Sequence, residues 1–177
     1  MLKKILLIAA GLLVVLAGVI ALQPGTYKVA RSADIAAPPA DVFGLINDFH
    51  KWDAWSPWAK IDPAMKTSFS GAPAGPGASY YWVGNDDVGE GRMTITDSQP
   101  PQHVRINLEF LKPFASNAVT DFTVTPSGAG SRVEWGMTGE SNFMSKGFGL
   151  VMGGMDKMIG PDFEKGLAQM KALAEKK

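Results

Sequence analysis

The chain has 177 residues, 46% of them hydrophobic and 19% charged, which suits one domain with a sizeable core plus an appendage and excludes wholesale disorder. Lys+Arg 17 balances Asp+Glu 17, so no electrostatic footprint points to nucleic acid. There is no cysteine, which excludes disulfide frameworks, thiol catalysis, thiolate metal sites and acylation of a lipoprotein-type cysteine.

Lys3 and Lys4 precede an unbroken run of apolar and small residues, Ile5 to Leu22. At about 1.5 Å per residue that run makes a helix of roughly 27 Å, close to the hydrocarbon thickness of a bilayer. Its length favours a retained signal anchor, residues 1–22, over a cleaved secretory signal, for which Val19-Ile20-Ala21 is a weak cleavage site. Either way the domain is expected beyond the cytoplasmic membrane, on the periplasmic or extracellular side, and secreted if the segment is cleaved. Residues 23–26 form a linker, broken by Pro24-Gly25, and 27–177 form the domain.

Tyr27, Val29, Ala33 and Ile35 alternate with Lys28, Ala30, Ser32 and Asp34 as a first strand with one wet face. Pro38-Pro39 ends it and opens a helix with Val42, Phe43, Ile46 and Phe49 on its apolar side. Trp52, Trp55 and Trp58 follow, and Ser56-Pro57 stops a regular helix from running past Trp55. Six further strands are expected at Met65–Phe69, Ala78–Val83, Gly89–Asp97, Val104–Phe110, Asn117–Thr125 and Arg132–Gly139. Their short connections imply an antiparallel meander, and their single apolar faces require one cover.

The last stretch supplies that cover. Phe163, Leu167, Met170 and Leu173 form one apolar stripe, with Pro161 in the first helical turn and Asp162 and Glu164 at the end that favours negative charge. Before it, Gly147, Gly149, Gly153 and Gly154 make residues 147–160 poor material for a rigid helix. That half is expected to be a mobile lid, with Met152, Met155 and Met158 lining a cavity mouth.

Three stretches carry a family resemblance: Trp52-Asp53-Ala54-Trp55-Ser56-Pro57-Trp58 with Asp62-Pro63, then Gly89-Glu90-Gly91, then Met155 to Leu167, MDKMIGPDFEKGL. With the order of elements they make roughly residues 26–175 similar to the START-related, or SRPBCC, superfamily. Within it the chain resembles membrane-anchored bacterial proteins of polyketide cyclase/dehydrase-like type. The resemblance implies an α+β helix-grip fold, a curved seven-stranded antiparallel sheet around a long C-terminal helix, preceded by one transmembrane helix. It also implies a cavity between sheet and helix that holds a hydrophobic small molecule or lipid. It does not imply an enzyme, because the superfamily mixes catalysts, carriers and sensors.

Candidate cavity residues are Trp55, Trp58, Trp82, Phe110, Phe122, Trp135, Met137, Met152, Met155 and Met158. Packing of the aromatic residues within the core is the competing reading. His50 and His103 lack any metal-ligand spacing, and no metal or cofactor is expected. Glu90, Arg92, Arg105, Glu109 and Glu134 are the conceivable acid–base groups, with alternation turning Arg105 and Glu109 to solvent. Gly89-Glu90-Gly91 enters a strand and lacks the further residues of a phosphate loop, which points to a bulge. The leading expectation is a membrane-tethered, non-catalytic domain that binds a hydrophobic small molecule or lipid and no nucleic acid. The alternatives are a cyclase-, dehydratase- or hydrolase-type enzyme acting on an apolar substrate, and a structural or interaction module.

Overall fold

A computed structural model describes residues 2–176. An apolar helix, α1 (Leu2–Ala21), precedes β1 (Thr26–Ile35), α2 (Pro39–Ile46) and two 3-10 helices, Phe49–Ala54 and Trp58–Lys60. Then come β2 (Lys66–Gly71), β3 (Ala78–Val83), β4 (Glu90–Gln99), β5 (His103–Lys112), β6 (Ser116–Ser127) and β7 (Gly130–Glu140). Helices α3 (Phe143–Met152) and α4 (Met155–Ala174) close the chain. The strands form one antiparallel sheet in the order β1-β7-β6-β5-β4-β3-β2, the expected meander with β1 returning to pair with β7. This is the α+β helix-grip architecture.

Alternation sets the sheet's two faces. Val29, Ile106, Phe122, Val133 and Trp135 are buried on the inner face, while Arg105 and Thr138 are exposed on the outer one. The cover is shared more widely than the sequence suggests. Helix α4 packs chiefly along β1, while α2 and the first 3-10 helix close the rest. Trp52 and Trp55 fill the space between, their indole N–H groups donating to the carbonyls of Ile46 (2.9 Å) and Leu45 (3.0 Å). Those bonds let two large amphipathic side chains be buried without an orphaned donor.

Helix α4 begins six residues before Pro161, not at it. A proline inside a helix costs about 3 kcal/mol, and contacts on both sides of it offset that cost. The Arg31 guanidinium on β1 donates to Asp156 (2.7 and 3.0 Å) and, through Nε, to Glu164 (2.7 Å). One side chain thus straps the turns before and after Pro161 to the sheet. Residues 147–152 are helical despite Gly147 and Gly149. Gly153 and Gly154, at φ 84° and 95°, end α3, and the Gly154 N–H caps the Gly149 carbonyl at 2.7 Å. Left-handed backbone at two successive positions redirects the chain, so α3 and α4 are separate helices.

Helix α1 is long and apolar enough to cross a membrane, and none of its residues is buried in the protein. Antiparallel pairing puts the start of β1, to which α1 leads, at the same end of the sheet as the end of β7, from which α3 leaves. The β3–β4 and β5–β6 connections lie at that end too.

Candidate functional site

Between the inner face and its cover lies a cavity of about 170 Å³. Its floor comes from the sheet: Trp82, Met93, Leu108, Phe110, Trp135 and Met137, with Thr120 adding one hydroxyl. Trp58 and Phe163 close it from the second 3-10 helix and α4, and Met65 borders it just before β2. The walls are therefore mostly aromatic side chains and thioethers, surfaces suited to an apolar guest.

Local sequence explains how each wall is held. Trp82 lies flat across β4 because residue 91 is glycine; a Cβ there would sit 2.4 Å from Trp82 Cη2. The Trp82 N–H donates to the Val88 carbonyl at 3.0 Å, which fixes the ring. The register shift between Glu90 and Gly91 is the bulge that the glycines imply. Trp135 stacks on Phe163 with ring centres 4.0 Å apart and planes 9° from parallel, joining β7 to α4. The indole N–H of Trp135 is buried and has no hydrogen-bond partner among the described residues. Asp62 accepts from the backbone N–H of Ala64 (3.0 Å) and Asn85 (2.8 Å), tying the segment before β2 to the β3–β4 connection at the cavity's edge.

Polar groups at the cavity are few. Burial, reinforced by the Asp53 charge, pushes the Tyr80 hydroxyl up to about 12, so it stays neutral and able to donate at physiological pH. Asp53 and Asp87, the carboxylates that border the cavity, are exposed to solvent. The perturbed carboxylates lie elsewhere. Glu90 is held below its ordinary range by Lys112 (2.6 Å) and by the Tyr81 hydroxyl, which donates to it. Burial pushes Asp121 up, but hydrogen bonds from Arg105 (2.8 Å) and His103 (2.9 Å) outweigh it, and the net shift is downward. Arg105 shares the outer face with Glu109, as alternation indicates, and neither lines the cavity.

Of the sequence candidates, Trp58, Trp82, Phe110, Trp135 and Met137 meet around the cavity. Trp55 and Phe122 do not; both are fully buried, packed edge-to-face 6.1 Å apart in the solid part of the core. Met152, at the end of α3, and Met158, on α4, are exposed, and Met155 packs half-buried at the start of α4; none of the three lines the cavity. Met65, Tyr80, Met93, Leu108, Thr120 and Phe163 are among the further residues that line it. Leu108, Phe163 and Met65 belong to the sequence's own patterns, Met65 as the first residue of an expected strand that in the structure begins one residue later, at Lys66.

A broader, open depression of about 710 Å³ lies on the other side of the sheet, around Lys28, Asn107, Val119 and Thr138. Open to solvent, with Lys28 and Glu140 in its lining, it offers less enclosure to an apolar ligand than the smaller cavity.

A family model described as "Polyketide cyclase / dehydrase and lipid transport" matches residues 26–175. No curated protein matches the chain. Among solved structures, a protein from Chromobacterium violaceum aligns with TM-score 0.60 and 16% identity, over 87% of this chain and all (100%) of the other. A protein from Nitrosospira multiformis aligns with TM-score 0.60 and 19% identity, over 85% and 97%. DynU16, from the dynemicin biosynthetic locus, aligns with TM-score 0.57 and 15% identity, over 84% of this chain and 47% of its own. At such identities the likeness is one of fold.

Proposed function

We propose, from the premise that this chain belongs to the polyketide cyclase/dehydrase and lipid-transport family, that it is a membrane-tethered, non-catalytic binding domain for a hydrophobic small molecule or lipid. The observation that carries this reading is the apolar cavity between the sheet and α4. Its size bounds the guest. An engineered cavity of roughly 150 Å³ holds benzene, so about 170 Å³ takes one ring or a short acyl segment. The remainder of a larger molecule stays in the mouth. Trp58, Trp82, Phe110, Trp135 and Met137 supply the contact surface, and the Tyr80 and Thr120 hydroxyls suit a single polar atom on an otherwise apolar ligand. Support for binding over catalysis comes from Asp53 and Asp87, the acids in the cavity lining, which are solvated. Asp62 at its edge is buried but held by two backbone N–H groups, and the strongly paired acids face away. Support for the tether is α1, with Lys3 and Lys4 ahead of the apolar run, a charge pattern that favours the domain on the far side of the cytoplasmic membrane.

Native mass spectrometry of the full chain released from detergent micelles tests the binding reading. An apolar compound is expected to remain bound after purification or exposure to a lipid extract. Met93→Trp, which fills the cavity, is expected to lose it while keeping its circular dichroism spectrum. A full chain that never carries or takes up such a compound contradicts the proposal.

A further inference from the structure

The strongest feature outside the cavity is an unpartnered apolar face on α3. Phe143, Met144, Phe148, Val151 and Met152 recur at one side of the helix and are all more than half exposed, Val151 the most at 83%. Phe114, from the β5–β6 connection, stands beside them with its ring 6.4 Å from that of Phe148. A patch this apolar is unusual on a free protein surface and marks something that covers it.

Its position says what. Lys146 on α3 donates to the carbonyl of Ala21 at 3.4 Å, and a Cβ on Gly147 would touch Ile20 Cδ1 at 3.6 Å. Helix α3 is therefore in contact with the last turn of α1, at the point where a membrane-spanning α1 leaves the bilayer. An apolar helix face beside an emerging transmembrane helix is suited to lying in the interface, side chains among the acyl chains and lysine at the headgroups.

The same end of the sheet carries the edge of the cavity. Val88 borders the cavity, and a Cβ on the neighbouring Gly89 would lie 3.5 Å from Pro113 Cδ, the residue next to Phe114. The cavity's edge at Val88-Gly89 thus lies beside the Pro113-Phe114 connection, whose Phe114 ring stands next to Phe148 on α3. We infer that the free face of α3, with Phe114, inserts into the leaflet from which α1 emerges and holds the cavity mouth against the bilayer. A lipid-soluble ligand then passes between membrane and cavity without crossing bulk water. This rests on the tethered reading of α1.

The chain's lack of cysteine allows clean single-site labelling of the full-length protein. Leu13→Cys, Val151→Cys and Ser127→Cys, each carrying the fluorophore NBD, would be reconstituted into phosphatidylcholine vesicles containing phosphatidylglycerol. Quenching by lipids spin-labelled near the headgroup would be compared with quenching by aqueous iodide. The expected result at position 151 is a blue-shifted emission and lipid quenching several-fold stronger than at position 127, which lies at the opposite end of the sheet. Phe148→Asp, at an exposed site where folding tolerates it, is expected to return the position 151 signal to that of position 127. Lipid-buried signal at 13 with a water-exposed signal at 151 overturns the docking while leaving the tether. Aqueous signal at both overturns the two together. A blue shift at 151 without lipid quenching means that protein, such as a second copy of the chain, covers the face, and it overturns the membrane as the occupant.

Discussion

Gly166 is a point of close approach between α4 and the sheet. A Cβ there would lie 2.8 Å from Trp135 Cζ3 and 3.0 Å from Pro57 Cδ, both on rigid rings. Gly166→Ala is expected to destabilise the domain by about 1–3 kcal/mol despite alanine's better helix propensity, because neither ring can yield without disturbing the Trp135–Phe163 stack. A lowered thermal midpoint checks this; an unchanged or raised one means the helix moves away freely. Individual site residues were only partly legible in the sequence. Alternation places Phe122 and Trp135 correctly on one face, where they are cross-strand partners. It does not say that Trp55 seals one while the other reaches open space. That distinction depends on where a tryptophan from outside the sheet comes to rest. Arg31 was missed for a related reason. Its odd-numbered position on β1 puts it on the inner side, yet its charge suggests solvent until Asp156 and Glu164 arrive from 125 and 133 residues away.

The strap from Arg31 to α4 gives a pH dependence that belongs to the helix as a unit. The Arg31 guanidinium holds Asp156 below the ordinary aspartate value of 3.8. A carboxylate with a depressed folded pKa contributes stability that is fully present above its unfolded pKa and lost as pH falls through the folded one. Asp156→Asn is therefore expected to lower the melting temperature at neutral pH, with the difference from wild type shrinking below about pH 4. Melts across that range check the sign; a difference that grows in acid would mean the pair is not formed. Leu167, 2% exposed on the gripped face, makes a harsher test. Leu167→Asp is expected to leave the domain largely unfolded by circular dichroism, since it buries an unpaired charge. At this scale the sequence was most legible. All seven strands and the meander follow from period-two patterns and short loops. Pro161 misled because a local rule about helix starts was overridden by ion pairs that no local window contains.

Over the whole molecule, the two halves of the sheet do different work. The half nearer α2 is a filled core of Ile35, Ile46, Ile95, Val104 and Val124, while the half nearer α1 holds the cavity. Glycine content points to a lid; in the structure Gly153 and Gly154 turn the chain between α3 and α4, and α3 packs against α1. Overall topology was legible because each strand's face is written locally, whereas the destination of α3 depends on contacts with a helix more than a hundred residues earlier. The connection between α1 and β1 has a consequence of its own. Only Leu22, Gln23, Pro24 and Gly25 join them, a reach of roughly 15 Å at full extension. With α1 in a bilayer, the binding domain has no excursion into solution, so meeting its ligand is an event within one molecule and its surrounding lipid. Uptake from an excess of lipid-borne ligand should then be pseudo-first order, its half-time falling with the ligand's lateral concentration and independent of how densely the protein populates the membrane. Inserting a long flexible segment after Gln23 should leave the melting temperature unchanged and convert that process into a slower, diffusive search.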